Sequence, residues 1–146
     1  MQRREFLALA KELSVRTSEG CWRTAVSRAY YAAFHRTRDF MATLGFRTRK
    51  NDQAHTGLYR RLSSSKSDVL IEAGRLLLAL RSLRNQADYD LDYDFQKAEA
   101  VEAAKDAETI FDQLNSQNDP ALLVKITDTI RAYERDVLRE ATWQQP

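Results

Sequence analysis

An uninterrupted helical pattern of apolar residues, from about Cys21 to Leu44, limits what this 146-residue chain can fold into. Apolar side chains recur every three or four positions along it, which is the spacing of one face of an α-helix. The same spacing occurs in four other segments, at about 3–17, 68–87, 95–114 and 120–139, and each is predicted to form a long helix. A short helix is also expected at 55–62. No segment alternates like a strand. The sequence therefore predicts an all-α protein, an up-and-down antiparallel helical bundle of four to five long helices.

Three positions mark where these helices should begin or end. Gly45 follows the long pattern and is a natural C-terminal stop, because glycine accepts the left-handed conformation that often ends a helix. Ser67 precedes the next long pattern as an expected N-cap. Asp119 and Pro120 stand in the N-cap and first-turn arrangement before the last helix.

Composition narrows the classes of protein to which the chain can belong. No apolar run approaches the roughly 18 residues of a membrane span, and the first residues lack the apolar core of a signal peptide. Cys21 is the single cysteine, so no internal disulfide can form. We therefore expect a cytoplasmic protein without membrane contact.

Charge is distributed unevenly along the chain. Residues 1–66 carry 14 Lys and Arg against 5 Asp and Glu, whereas residues 67–117 carry 5 against 11. A basic half can face phosphates and an acidic half a basic partner, or the two halves can attract each other within one bundle. A basic stretch from Arg47 to Lys50, with Arg60 and Arg61 further on, fits weak phosphate contact or a solvated loop.

The stretch from Arg84 to Asp90 has the highest concentration of side chains that could form a functional site. It places Arg84, Asn85, Asp88 and Tyr89 where an apolar helix runs into an acidic segment. An arginine, an amide, a carboxylate and a phenol can together hold a phosphate or position a base. The structural alternative is that Arg84 ends its helix and pairs with Asp88 one turn later.

The segment Ser27–His35 (SRAYYAAFH), the isolated His55 and the segment Arg84–Asp90 (RNQADYD) together resemble the HEPN domains, named for higher eukaryotes and prokaryotes nucleotide-binding. These motifs occur in the family's order and on the expected helices. The resemblance implies a HEPN-like helical bundle over residues 1–115. Residues 116–146 are then expected to form a C-terminal helix that packs on or extends the same domain.

This resemblance also implies a function. HEPN proteins are small helical modules that handle RNA or nucleotides, and many are RNases or the toxin half of toxin–antitoxin pairs. A small nucleotidyltransferase is a frequent antitoxin partner. The family is expected to form homodimers with its motif arginine near the twofold axis, and neither a cofactor nor a metal is expected.

One position departs from the family's nuclease motif. Active members carry an arginine, a polar residue and then a histidine, which here correspond to Arg84, Asn85 and Tyr89. An ordinary phenol, with a pKa of about 10, is a poor base near neutral pH. The resemblance thus leaves two hypotheses: a metal-independent endoribonuclease, or a catalytically inactive module that binds nucleotide or a partner protein.

The residue roles follow from the matched motifs. Arg84 is expected to hold a phosphate, Asn85 to orient it, and Asp88 with Tyr89 to shape the site. The candidate substrate-binding residues are Arg28, Tyr31 and His55. On its helix, Tyr30 lies on the apolar stripe and is expected in the core, whereas Tyr31 lies off it, towards Arg28 and His35.

A calcium loop is the competing interpretation of the acidic segment. Asp88, Asp90, Asp92 and Asp94 alternate, and Glu99 is the twelfth residue counted from Asp88, which is the ligand spacing of an EF-hand. However, Tyr93 occupies the sixth place, where the sharp turn requires glycine. The plain alternative is an acidic linker that begins the next helix with favourable charge.

Overall fold

The computed structural model describes residues 2–50 and 53–146, and over these ranges it is all-helical. The helices are α1 (Arg3–Ser14), α2 (Glu19–Thr43), α3 (Gln53–Ser63), α4 (Asp68–Tyr89), α5 (Lys97–Ser116) and α6 (Pro120–Tyr133), followed by a π-helical turn at Glu134–Leu138. Within the described ranges no strand forms, apart from an isolated bridge between Phe46 and Trp143. The predicted all-α class is confirmed.

The residues of these helices fall into two compact units. The first unit comprises Met1–Arg36 and Leu76–Phe111, and the second comprises Thr37–Arg75 and Asp112–Pro146. The first unit therefore contains α1, most of α2, the end of α4 and most of α5. The second contains α3, the start of α4, α6 and the C-terminal tail.

The three predicted helix boundaries are confirmed by their hydrogen bonds. Gly45 has φ +104°, and its N–H and that of Phe46 return to the carbonyls of Ala42 and Met41 in a Schellman arrangement. The Ser67 hydroxyl accepts from Leu70 N–H at 3.3 Å. Asp119 accepts from Ala121 N–H at 3.3 Å, with proline at the first helical position.

The core of the first unit is rich in alanine. Small side chains let helices approach closely, and large rings fill the remaining space. The buried residues include Ala25, Ala29, Ala33, Ala100, Ala104 and Ala107, together with Tyr30, Phe34, Phe95 and Phe111. In the second unit, the largest buried side chains are Phe46, Met41, Leu58, Leu62, Leu70, Leu114 and Ile130.

The apolar spacing of the sequence also predicts core positions for Leu9, Val69, Leu122 and Val137, and these four predictions are wrong. All four side chains keep much of their surface in water. The spacing predicts that α1 buries the face of Phe6, Leu9, Ala10 and Leu13. The buried residues are instead Leu7, Ala10 and Ser14, so the helix is rotated from the predicted face. The last helix was expected to reach Arg139 but ends at Tyr133, which places Val137 in the π-helical turn.

Candidate functional site

Arg84 lies on α4 with its guanidinium against two tyrosine rings of α2. Its Cζ atom is 5.2 Å from the ring centroid of Tyr30 and 5.5 Å from that of Tyr31, within cation–π distance of both. The residue is only 8% exposed. Over residues 2–50 and 53–146 it forms no ion pair, and its Nε atom has no hydrogen-bond partner. The alternative in which Arg84 pairs with Asp88 is therefore wrong.

The phenol of Tyr30 is the internal partner of this guanidinium. Burial raises the pKa of Tyr30 to about 12, while the charges of Arg81 and Arg84 and a hydrogen bond with Arg84 lower it to a smaller extent. Tyr30 is therefore neutral at physiological pH, and its hydroxyl accepts a hydrogen bond from Arg84. Its burial confirms the predicted core position.

A second arginine and two further rings extend this group. The Cζ atom of Arg28 lies 5.2 Å from the Phe6 ring centroid and 5.3 Å from that of Tyr31. The His35 ring stacks on Phe6 at 6.0 Å and on Tyr31 at 6.2 Å. We call Arg84, Arg28, Tyr31, His35 and Phe6 the Arg84 cluster.

Helical spacing explains how α2 builds its part of the Arg84 cluster. Arg28, Tyr31 and His35 are three and four residues apart, so they share one face of the helix. All three side chains are half-buried. Tyr31 thus lies beside Arg28 and His35, as its position off the apolar stripe predicts.

Asp88 is connected to the Arg84 cluster through a serine. The Ser27 hydroxyl donates to Asp88 Oδ2 at 3.4 Å and accepts from Arg28 Nη2 at 3.3 Å. Asp88 is exposed, whereas Ser27 is buried. A carboxylate is therefore held near Arg28 without forming a direct ion pair with it.

The other two predicted residues of α4 project away from the Arg84 cluster. Tyr89 is five positions after Arg84, which places the two side chains about 140° apart around the helix axis. Asn85 is exposed, and Tyr89 is 76% exposed. Asn85 and Tyr89 are one turn apart and share an outward face. Within one chain, the predicted set is therefore divided between two faces of α4.

His55 lies on α3 in the second unit, where it is half-buried. The helix predicted around it is confirmed and runs from Gln53 to Ser63. Its role in binding substrate stays a prediction.

Arg23 fixes the end of α4, a role that the sequence reasoning missed. Its guanidinium is buried and donates to the carbonyls of Ala87 at 2.9 Å, Asp90 at 2.9 Å and Tyr93 at 2.7 Å. It also lies 5.3 Å from the Phe95 ring centroid. A cation here satisfies carbonyls that the helix end leaves open. The sequence does contain a sign of this role, because Arg23 is a charged residue on the apolar stripe of α2.

The chain matches a known protein family over most of its length. The model of the HEPN domain matches residues 4–117. The chain belongs to the HEPN family. At the level of that family, it is a nucleotide- or RNA-associated module. The matched range ends before α6.

One archaeal protein is similar to this chain over most of its length. An uncharacterized protein of Methanocaldococcus jannaschii is 32% identical over 124 residues, covering 73% of this chain and 70% of that protein. No solved structure gives a significant match to the chain. In the described part of this HEPN protein, no helix has the length and apolarity needed to cross a membrane.

The acidic segment of this HEPN protein is organised as a helix start. Glu99 accepts from the Tyr93 hydroxyl at 2.5 Å and from Gln96 N–H at 2.8 Å, which is half of a capping box for α5. The hydrogen bond to Glu99 raises the pKa of Tyr93. Tyr93 is not among the described residues with positive φ, so the turn of an EF-hand is not formed. Among these residues, no group of three or more His, Cys, Asp or Glu side chains could hold a metal ion.

Proposed function

We propose that this HEPN protein binds RNA through the Arg84 cluster and acts as the RNase-related, toxin-like half of a toxin–antitoxin pair. The observation that carries the proposal is the buried guanidinium of Arg84, which has no carboxylate partner among the described residues. Burying a cation without an opposite charge costs free energy. An anionic ligand supplied from outside would offset that cost.

The chemistry of the Arg84 cluster favours an RNA phosphate as that anion. Arg84 and Arg28 offer planar guanidinium groups, which bind phosphate oxygens in pairs. Both guanidinium groups lie within 5.5 Å of the Tyr31 ring centroid. Proteins that bind single-stranded RNA commonly combine cations with aromatic faces on which bases stack. Tyr31 and His35 provide such rings beside the two arginines.

The remaining predicted roles fit a composite site in a homodimer. HEPN family members often dimerise. Tyr89 and Leu91 are large, exposed side chains next to the end of α4, where a second copy would cover them. In the proposed dimer, Arg84 holds the phosphate, Asn85 orients it, and Asp88 and Tyr89 shape the site. Arg28, Tyr31 and His55 bind substrate, and a small nucleotidyltransferase is the antitoxin partner.

The second candidate is a catalytically inactive binding module. It is favoured by the position of Tyr89, which corresponds to the family's motif histidine but projects into solvent away from Arg84. Such a module would bind nucleotide or a partner protein and would not cleave RNA. The two candidates share the binding chemistry of Arg84 and differ in turnover.

Binding is tested by fluorescence anisotropy with a labelled single-stranded RNA. Replacing Arg84 by Ala should weaken binding by about tenfold, and Arg84→Lys should restore it only in part, because the bidentate contact is lost. Arg28→Ala, which changes a half-buried residue, should act in the same direction. Arg16→Ala is the control, since Arg16 is exposed and paired with Glu12. Equal affinity of all four variants would refute the RNA site.

Turnover and partnership need separate measurements. RNA cleavage is measured in the presence of EDTA, with Arg84→Ala and Tyr89→Phe as variants. Cleavage that is lost in Arg84→Ala identifies the endoribonuclease, whereas binding without cleavage identifies the inactive module. Growth inhibition on expression, relieved by a co-expressed nucleotidyltransferase encoded nearby, would support the toxin–antitoxin pair. No effect on growth would count against it.

A further inference from the structure

His35 is the histidine of the first unit, because the chain has two histidines and His55 belongs to the second. Its imidazole ring contacts rings from two helices. It stacks on Phe6 of α1 at 6.0 Å and on Tyr31 of α2 at 6.2 Å, and the Phe34 ring meets it edge-on at 5.2 Å. These three rings restrict how the imidazole can turn.

Two of these rings also bring His35 close to the arginines of the Arg84 cluster. The Cζ atom of Arg28 lies 5.2 Å from the Phe6 ring centroid and 5.3 Å from that of Tyr31, so Arg28 and His35 share both rings. The Cζ atom of Arg84 lies 5.5 Å from the Tyr31 centroid. A phosphate bound by the two guanidinium groups would therefore lie one ring away from the imidazole.

The members of the Arg84 cluster differ in how far solvent reaches them. Arg84 is 8% exposed, whereas Arg28, Tyr31 and His35 are half-buried. Part of the imidazole is therefore open to a ligand that lies over these side chains. The same partial burial keeps its stacking contacts in place.

Among the side chains of the Arg84 cluster, the imidazole is the best suited to transferring a proton. Metal-independent cleavage of RNA needs a group that removes the proton of a ribose 2′-hydroxyl. Guanidinium groups stay protonated, and an ordinary phenol has a pKa of about 10, so Arg28, Arg84 and Tyr31 are poor bases near neutral pH. An ordinary imidazole, with a pKa of about 6.5, both accepts and donates a proton there.

Asp88 is a weaker candidate for the same task. An ordinary carboxylate, with a pKa of about 3.9, holds a proton less strongly than an imidazole. Asp88 Oδ2 accepts from the Ser27 hydroxyl at 3.4 Å, and that hydroxyl accepts from Arg28 Nη2 at 3.3 Å. The carboxylate is therefore better placed to orient Arg28 than to remove a proton.

We propose that His35 is the acid–base residue of RNA cleavage, an inference that rests on the proposed endoribonuclease function. Its neutral imidazole takes the proton of a 2′-hydroxyl, and the 2′-oxygen forms a bond to the adjacent phosphorus. The bond from phosphorus to the 5′-oxygen breaks, and this oxygen receives the proton from the imidazolium. The products are a 2′,3′-cyclic phosphate and a 5′-hydroxyl. Arg84 and Arg28 stabilise the negative charge that develops on the phosphate oxygens.

His35→Phe tests this role, because it keeps a ring on Phe6 and Tyr31 but removes the group that transfers the proton. Cleavage of a labelled single-stranded RNA by the whole chain, in the presence of EDTA, should fall by about 100-fold or more. RNA affinity, measured by fluorescence anisotropy, should stay close to that of the unaltered protein. Tyr133→Phe is the control, since it alters a half-buried ring of the second unit and should leave cleavage unchanged.

A second variant separates a chemical role from a structural one. His35→Ala leaves space where the ring stood, so free imidazole added to the reaction can occupy it. Added imidazole should raise the cleavage rate of His35→Ala by at least about tenfold. It should not raise that of His35→Phe, in which the ring fills the space.

The possible failures of this inference can be told apart from failure of the proposed function. Cleavage that persists in His35→Phe overturns the role of His35 and leaves the endoribonuclease intact. Loss of RNA affinity in His35→Phe, or a lack of rescue of His35→Ala by imidazole, assigns the ring a binding or structural role and also overturns it. Absence of cleavage by the unaltered protein overturns the endoribonuclease and this inference together.

Discussion

The guanidinium carbon of Arg84 lies 5.2 Å from the ring centroid of Tyr30, and both side chains are buried. The neutral phenol accepts a hydrogen bond from Arg84 but cannot neutralise its charge. This pair therefore positions the arginine while leaving its charge available for an anion. Because a buried phenolate would be poorly solvated, the pair also makes stability depend on pH in the alkaline range.

The alkaline dependence has a definite sign. Tyr30 has its pKa raised from 10.0 to about 12 in the folded chain, so the folded state retains this proton between those values while the unfolded chain loses it. The free energy of unfolding should be unaffected by Tyr30 below about pH 10 and should fall on the order of 2 kcal/mol as the pH rises to 12.

Urea unfolding at a series of pH values checks this prediction. Tyr30→Phe should flatten the decline, because the titrating group is removed. Tyr93 also has a raised pKa and acts in the same direction, so Tyr93→Phe is measured in parallel. An identical decline in the unaltered protein and in Tyr30→Phe would show that Tyr30 is not responsible.

The buried Arg23 should stabilise the end of α4 substantially. Its replacement by Met keeps an apolar stem but leaves the carbonyls of Ala87, Asp90 and Tyr93 without their donor. We expect a loss of about 2–4 kcal/mol in the free energy of unfolding. Amide hydrogen exchange should accelerate most at residues 84–93.

Arg16→Met is the matched control for Arg23. Arg16 is exposed and, among the described residues, its one ion pair is the i,i+4 pair with Glu12, so its loss should cost less than about 0.5 kcal/mol. If Arg23→Met costs no more than Arg16→Met, the carbonyl contacts of Arg23 do not stabilise α4.

Helix positions were predictable from sequence because local patterns determine them. Apolar spacing placed each helix, and Gly45, Ser67 and Asp119 marked boundaries through backbone conformation and capping. The buried face of α1 was not predictable with the same ease. Apolar residues surround much of that helix, so packing in three dimensions selects Leu7 over Leu9.

The site was predictable only in part for a related reason. The motif placed Arg84 and Tyr31 together, and their contact follows from the pairing of α2 with α4. The stacking of His35 on Phe6 joins two different helices, and no spacing within either helix predicts it. The outward direction of Tyr89 requires that α4 continue as far as Tyr89, and Arg23 helps to fix that end of the helix.

Gly45 should tolerate no side chain. It has φ +104°, and an added Cβ would lie 2.6 Å from both the Gln144 carbonyl oxygen and Trp143 Nε1. Gly45→Ala should therefore cost at least about 2 kcal/mol through backbone strain and displacement of the tail. Gly20→Ala is the control, since nothing lies within 4 Å of its Cβ position and α2 should gain up to about 1 kcal/mol.

Thermal unfolding and limited proteolysis of the C-terminal tail distinguish these two glycine variants. The tail of Gly45→Ala should be cleaved faster, because Gln144 N–H donates to the Gly45 carbonyl at 2.8 Å and Trp143 Nε1 donates to the Leu44 carbonyl at 2.9 Å. Equal stability of Gly45→Ala and Gly20→Ala would contradict the close approach of the tail.

The buried ion pair of Arg61 and Glu134 should be costly to break and less costly to replace. Arg61 Nε donates to Glu134 Oε2 at 2.9 Å, and Thr142 donates to the same carboxylate through its hydroxyl. Glu134→Leu leaves Arg61 buried with Glu140 as its remaining anion among the described residues, so we expect a loss of about 3–5 kcal/mol. The double variant Arg61→Met with Glu134→Leu should lose less, because no charge stays buried. Urea unfolding of the two single variants and the double variant gives the coupling energy, and purely additive losses would mean that the pair does not interact.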